Sequence, residues 1–263
     1  MTTVTHLPVR TRETIADKPG CVALPTSEIG RFMLFTMSLT GTQQPSGSRL
    51  HAAASASVTE NTNSIIRDML PTEKWVWLLG DDHVWPGDTL QCLLATMDAH
   101  PEIDILVPLV TKRNPPWHLV LYHVPEGERN EDGIQLLKAL DWTEVPESGV
   151  FEVEAAGSAG MLIRAEVLDA LGDPWFYSTP NTDGKQVILN EDVTFCIRAR
   201  EEGFRVFATA DVVLGHLGIF NVRPMKRDGR WGALTEFSSA DEQFKHLFMP
   251  VEQTARGGVI ELP

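Results

Sequence analysis

Three things are scarce in this sequence: cysteine, positive charge and unbroken apolar length. Only three cysteines occur (Cys21, Cys92 and Cys196), odd in number and far apart. That excludes a disulfide-stapled scaffold and predicts a reduced, cytoplasmic protein. Lys and Arg number 22 against 36 Asp and Glu, a formal net charge of -14. Duplex nucleic acid needs several phosphate-neutralising cations on one face, so the charge balance argues against it as a partner. An acidic chain that handles phosphates recruits a divalent cation instead. No apolar run reaches the roughly 20 residues that span a bilayer. The opening stretch MTTVTHLPVRTRET has no apolar core after its charges, which predicts no signal peptide. Apolar residues are nonetheless plentiful, 43% of 263. That suffices for one large α/β domain or two small ones.

Hydrophobic periodicity divides the chain into alternating strands and helices. Residues 1–28 mix Pro, Thr and charge without a period and predict an irregular arm. RFMLFTMSL, Arg31–Leu39, reads as a buried strand, and Thr40–Ser48 as a polar loop. A helix is expected from about 51 to 70, with Ile65, Ile66, Met69 and Leu70 on one face and Pro71 ending it. WVWLL is apolar on both faces, as a central parallel strand requires. Asp88 to Ala99 predicts a helix with Leu90, Leu93, Leu94 and Met97 as its stripe, and Ile103–Val110 another strand. A short helix is expected around Ile134–Leu140. Gly160–Gly172 runs from a strand into a helix closed by Gly172. A loop through Asn181–Gly184 precedes a helix over Glu191–Gly203, and Cys92 and Cys196 fall on apolar helix faces. FRVFA and DVVLG read as short strands, and the tail from Leu217 is Gly-, Arg- and Phe-rich. Strands alternating with helices predict a mostly parallel sheet covered on both faces, with ligands at the carboxyl ends of its strands.

One such end is unusual. The apolar run Trp75–Leu79 stops at Gly80 and gives way to Asp81, Asp82 and His83. Adjacent carboxylates repel one another unless a cation or a donor compensates. Asp is also common where a strand turns out of a sheet, so a capping turn and a metal site are both open here. His216, in VVLGHLG, follows a second apolar strand, and carboxylate plus imidazole suits Mn²⁺ or Mg²⁺. Glu191–Asp192 opens a helix, where acids cap and the helix N-terminus is expected to hold Asp192 ionised. VRPMKRDGRW concentrates four basic residues against one acid.

These motifs, taken in order, resemble the GT-A-fold nucleotide-sugar glycosyltransferases close to family 2. The likeness is greatest to compact versions met in bacteriophages and actinobacteria. It rests on the acidic triplet, then Gly157 and Gly160–Arg164 (G-x-x-G-M-L-I-R), then Glu191–Ala199 (E-D-V-x-F-C-x-R-A), then a strand ending in His216, and it spans about Arg31 to Gly218. The family's metal motif, Asp-x-Asp, falls on Gly80 and Asp82, so its first acid is absent. The resemblance implies Asp82 as principal metal ligand, with His83 in support and His216 as the late ligand. An Asp-x-His alternative, Asp81 with His83, resembles another GT-A branch. It further implies Asp192 as the general base of an inverting enzyme, beside Glu191. Asp81, Lys112, Arg113, Gly160, Arg223 and Arg227 are implied to lie beside the donor. Trp117 suits either stacking on a sugar or base, or a place in the core.

The expectation is therefore a single GT-A domain over 29–218, with an arm over 1–28 and a tail or lid over 219–263. The implied cofactor is Mn²⁺ or Mg²⁺, and the partners are a nucleoside-diphosphate sugar and an acceptor: a protein, a small molecule or a modified base. The implied reaction is hexosyl transfer, in the host cytoplasm if a phage encodes the chain. Two other classes compete: a non-catalytic nucleotide-sugar binding domain and a metal-dependent phosphohydrolase.

Overall fold

The computed structural model describes residues 12–26, 32–54, 57–113, 117–123, 125, 137–180, 187–218, 220–237 and 245–250. The first part of the chain holds β1 (Cys21–Pro25), α1 (Met33–Gly41), β2 (Arg49–Ala53), α2 (Val58–Arg67), β3 (Trp75–Leu78), β4 (His83–Val84), α3 (Thr89–Ala99) and β5 (Ile105–Leu109). Next come β6 (Leu121–His123), β7 (Lys138–Ala139), β8 (Val150–Val153), β9 (Ala155–Ala156), β10 (Leu162–Arg164) and α4 (Ala165–Leu171). After these lie β11 (Thr179–Pro180), β12 (Val187–Leu189), α5 (Glu191–Glu201), β13 (Val206–Val213), β14 (Gly215–His216), β15 (Phe220–Arg227), β16 (Arg230–Phe237) and β17 (Lys245–Pro250).

Seven strands build the central sheet in the order β2-β1-β3-β10-β5-β13-β8. Strands β2, β1 and β3 are parallel, and β5 is parallel to β13. β10 runs antiparallel to both β3 and β5, and β8 antiparallel to β13. The carboxyl ends of β1, β3, β5 and β13 therefore share one edge. Alternation along β3 divides the core between two faces. Val76 and Leu78 pack with Ile65, Ile66, Val167, Val193 and Cys196 from α2, α4 and α5. Trp75, Trp77 and Leu79 pack with Phe35, Leu90, Leu93, Leu94 and Met97 from α1 and α3. Each fully buried side chain of this size contributes about 1.5–3 kcal/mol. Helices thus cover both faces, as the periodicity predicts.

Several elements differ from expectation. The arm contains a sheet strand, β1, whose five residues are too short and too close to prolines to show a period. Arg31–Leu39 is not a strand: from Met33 it is α1, which buries Phe35 and leaves Met33, Leu34 and Met37 exposed, so no amphipathic stripe marks it. The helix expected from 51 begins at Val58, because His51–Ala53 belong to β2. Around Ile134–Leu140, Lys138–Ala139 is a strand, and 134–136 lie outside the described residues, as do residues 1–11, Arg31 and the loop Asn181–Gly184. FRVFA and DVVLG join as one strand with an irregular register between Thr209 and Val213. Cys92 is exposed, on the far side of α3 from its buried stripe.

The chain divides into two compact units, Met1–Thr111 with His118–Leu217, and Lys112–Trp117 with Gly218–Pro263. The second unit carries a three-stranded antiparallel sheet, β15-β16-β17, where the sequence suggested only a tail. Its first hairpin turns at Asp228-Gly229, both at positive φ, 50° and 78°. Asp-Gly is a preferred pair for such a two-residue turn. Among the described residues no helix is long and apolar enough to cross a membrane.

Candidate metal and base site

The edge where β3 ends gathers the expected ligands. β4 and β14 form a two-residue antiparallel ladder that sets His83 opposite His216. The main chain reinforces it, Leu217 N donating to Asp82 O at 2.6 Å. The imidazole rings of His83 and His216 stack at 4.4 Å between centroids, 26° from parallel. Asp82 sits between them, with Oδ1 3.1 Å from His83 Nδ1 and Oδ2 3.1 Å from His216 Nε2. One donor atom from each of Asp82, His83 and His216 lies within 4.8 Å of the others. The sequence had placed these residues at two strand ends 134 positions apart, and the structure brings them together.

Protonation makes this cluster informative. His216 Nδ1 lies 2.8 Å from the Thr111 carbonyl and must donate to it, since a carbonyl only accepts. In neutral His216 the lone pair of Nε2 then faces the Asp82 carboxylate, and two acceptors 3.1 Å apart call for a cation between them, a proton or a metal. His83 is 4% exposed, and among the described residues neither ring nitrogen has a hydrogen-bond partner; the approach to Asp82 lacks hydrogen-bond geometry. An unpaired buried polar group costs about 1–3 kcal/mol. A metal ion between these groups would offset that cost, so the donor set fits the divalent cation that the resemblance implies. Burial works to raise the Asp82 carboxyl, but His216 and His83 outweigh it and hold the group well below the usual carboxylate range.

Asp81 turns away from this cluster and accepts from the buried Thr26 hydroxyl at the end of β1. Gly80 explains the absent acid. A Cβ there would stand 2.7 Å from His83 Nδ1 and 2.9 Å from Asp82 Oδ1, so no side chain fits while this pair is in place.

Asp192 lies in the first turn of α5. Its Oδ1 accepts from Val193 N at 2.7 Å and its Oδ2 from Ser158 N at 3.3 Å. The helix N-terminus is expected to hold it ionised, and burial works against that. Burial outweighs these donors, Glu191 adds a like charge, and the carboxyl is pushed up to about 6. Tyr122 is raised by burial first and then by the Asp192 charge. Glu191 accepts from Ser178 Oγ at 3.4 Å. The Gly157–Met161 turn links Asp192 to the metal cluster. Ser158 N binds Asp192, while Gly160 N donates to Leu78 O and Leu78 N to Met161 O, both at 2.9 Å. Gly160 is at φ +72°, and a Cβ would strike Pro108 and Leu214 at 2.8 Å, so its glycine has a packing reason.

Lys112 and Arg113 are exposed and follow Thr111, the partner of His216. Trp117 is 44% exposed at φ 27°, which removes the core reading. Arg223, Lys226 and Arg227 are exposed on β15. Sequence reasoning missed Thr26, Thr111 and Ser158, whose partners are distant in the chain. A cavity of about 520 Å³ opens at the opposite edge of the sheet beside Ile66, Lys74, Arg164 and Trp175. Several of its charged groups are engaged already, Glu73 by Arg49, Lys74 by Glu13 and Arg67 by Asp173.

An α/β sheet with acid and imidazole gathered at the carboxyl ends of its strands defines the class: an enzyme-type domain that holds its ligand at the strand tips. The comparisons narrow that class. The model of the family described as "Glycosyltransferase like family 2" matches residues 43–233, most of the chain, and the protein belongs to that family. β10, antiparallel between β3 and β5, completes the GT-A arrangement expected from the sequence. Two solved structures are also similar. A197 from STIV is 14% identical, with 92% of this chain and 100% of that one covered at a TM-score of 0.48. GalNAc-T7 with UDP, GalNAc and Mn²⁺ is 12% identical, with 81% of this chain and 45% of that one covered at a TM-score of 0.49. No curated protein matches.

Proposed function

We propose that this glycosyltransferase is metal-dependent and moves a sugar, a hexose, from a nucleoside-diphosphate donor to an acceptor hydroxyl. The observation that supports the metal is the gathering of Asp82, His83 and His216, one donor atom of each within 4.8 Å of the others. Asp82, His83 and His216 would hold Mn²⁺ or Mg²⁺, which would neutralise charge on the departing diphosphate as a Lewis acid. Asp192 takes the acceptor proton. As the acceptor oxygen bonds to the anomeric carbon, the bond from that carbon to the phosphate oxygen breaks, the nucleoside diphosphate leaves, and the proton passes to an Asp192 carboxylate oxygen. A carboxyl raised to about 6 is a stronger base than an ordinary one and is still mostly ionised at neutral pH. Glu191 holds its position through Ser178. Lys112, Arg113, Arg223, Arg227 and Trp117, exposed on the second unit, are the donor-side residues that the family resemblance implies. The acceptor is a protein, a small molecule or a modified base.

The test is a panel of UDP-, GDP- and TDP-sugars with the full chain, scored for nucleotide release with and without Mn²⁺. Asp82→Ala is expected to abolish metal-dependent donor binding in calorimetry. Unchanged donor and Mn²⁺ affinity in that variant rejects the metal assignment. Donor binding without turnover favours a binding domain, for which Gly80 in place of the first acid is the supporting observation. Hydrolysis by water alone favours a phosphohydrolase.

A further inference from the structure

Between Phe32 and Ser48 the chain runs 17 residues without an acid or a base, in a sequence of which 22% is charged. That stretch contains α1. It buries Phe35 and leaves Met33, Leu34 and Met37 at 74, 55 and 62% exposure. One exposed apolar side chain is ordinary, but three on a helix of 9 residues make a patch. A groove of about 280 Å³ runs beside them, between Met37, Ser38 and Gly41 of α1 and Val84, Trp85 and Gly87. Its two sides are tied together. Trp85 N donates to Ser38 Oγ at 3.0 Å, the Trp85 indole N–H to Thr42 Oγ1 at 2.9 Å, and Gln43 N to Gly87 O at 2.7 Å. Gly41 leaves the groove open: a Cβ there would meet no atom within 4 Å.

The patch is complementary to itself. Residues four apart share a helix face, so Met33, Met37 and Gly41 form one stripe, large at its start and empty at its end. When two such helices lie antiparallel about a two-fold axis at Met37, position 33 of each falls opposite position 41 of the other. The most exposed side chain then meets the open space, and Met37 meets its own copy. That is the reciprocal pattern of a two-fold interface. Charge also selects the occupant. Two copies that each carry a formal net charge of -14 repel one another, and this stretch lets them approach without like charges meeting. A basic or acidic partner would gain nothing from it. A membrane-surface helix carries Lys or Arg on its polar face, and α1 has neither. We propose that α1 is a self-association surface, through which two copies of this chain pair antiparallel with Met33 of each seated beside Gly41 of the other. A standard interface buries about 800 Å² per partner. Three side chains supply only part of that, so the dimer is weak and forms as concentration rises. The pairing uses no residue of the metal and base site and stands apart from the reading of sugar transfer.

The experiment is sedimentation equilibrium of the full chain from about 1 to 300 µM, a range that brackets weak association. The mass is expected to rise from 29.2 kDa toward that of two copies. Met37→Lys puts two cations on the axis, and Gly41→Leu fills the open space; each should weaken the dimer by at least about tenfold. Both positions are exposed, and circular dichroism confirms that each variant folds. Met33→Ser provides a further variant if either does not. Met37→Cys in a Cys92→Ser background should cross-link to its own copy under mild oxidation, because position 37 lies on the axis. The parent chain, whose exposed Cys92 is on α3, should not. A single-copy mass across the whole range overturns the proposal, as does a dimer that Met37→Lys and Gly41→Leu leave intact. A dimer without the cross-link overturns the antiparallel pairing. Binding of a monomer to phosphatidylcholine vesicles, lost in Met37→Lys, would give the face to a membrane and overturns it too. Nucleotide release from a sugar donor is scored separately, and its failure leaves the dimer standing.

Discussion

The two edges of the central sheet both bury charge, and they treat it in opposite ways. At the edge where β3 begins, Arg164 is 2% exposed, and its three guanidinium nitrogens donate to the carbonyls of Ile103, Glu13 and Met97 at 3.0, 3.2 and 2.8 Å. Asp104, beside it, accepts from Arg205 N at 2.7 Å and has the Arg12 guanidinium against its other oxygen. At the edge where β3 ends, His83 has neither nitrogen bonded among the described residues, and Asp82 faces a histidine lone pair. Both regions are charged and enclosed, so burial and charge alone do not mark a site. Arg12 Nε and Asp104 Oδ1 lack hydrogen-bond partners at the first edge too, so what distinguishes the second is a whole ring, His83, with neither nitrogen hydrogen-bonded among the described residues.

Four experiments break or sharpen that contrast. The largest effect is expected from Asp192→Asn. It retains shape and capping ability but cannot accept a proton, so turnover should fall about 10²–10⁴-fold with donor affinity little changed. The same variant should be more stable than the parent at neutral pH. Folded Asp192 has a raised pKa and binds its proton more tightly than the unfolded chain does. Its stabilising effect is thus fully present below the unfolded value and is lost as pH rises through about 6, where charging a buried carboxyl costs stability that Asn does not forfeit. Thermal melts at pH 4.5 and 7.5 check the sign, and a stability difference that does not grow with pH would count against it.

Arg164→Met comes next. It strands three carbonyls at the opposite edge and should cost about 2–4 kcal/mol in urea denaturation, with metal affinity intact. A loss of metal binding would show that the two edges are coupled. Third, kcat/KM should fall about tenfold per pH unit below about 6, as Asp192 in the free enzyme takes up its proton. A flat acid limb would assign the base elsewhere. The smallest effect is expected from His83→Leu. Removing two buried nitrogens that make no hydrogen bond among the described residues, together with the imidazole that helps hold Asp82 low, should change the metal-free stability by no more than about 1 kcal/mol, while stabilisation by metal weakens. A clear loss of metal-free stability would place His83 with Arg164 as a structural group.

What was legible in the sequence follows the range of the forces involved. β3 was plain because four consecutive residues are buried on both faces, and α3 because Leu90, Leu93, Leu94 and Met97 keep the helical period. α1 was not, since its exposed methionines and leucine erase the polar face a surface helix usually shows. The hairpin of the second unit was legible in Asp228-Gly229 but was passed over. At the site, the ligand types and their strand-end positions could be read locally. The pairing of His83 with His216 depends on a ladder between distant segments, and Gly80 read only as a missing acid until the space around it was known.

The Gly157–Met161 turn couples the two halves of the proposed chemistry. One of its amides grips Asp192, and two further bonds clamp it to Leu78, four residues ahead of Asp82 in the chain. Base and cation cluster are therefore mounted on one splint rather than on separate walls of a cleft. The same mounting limits redesign: an insertion in this turn that shifts the base toward a new acceptor also shifts the donor side.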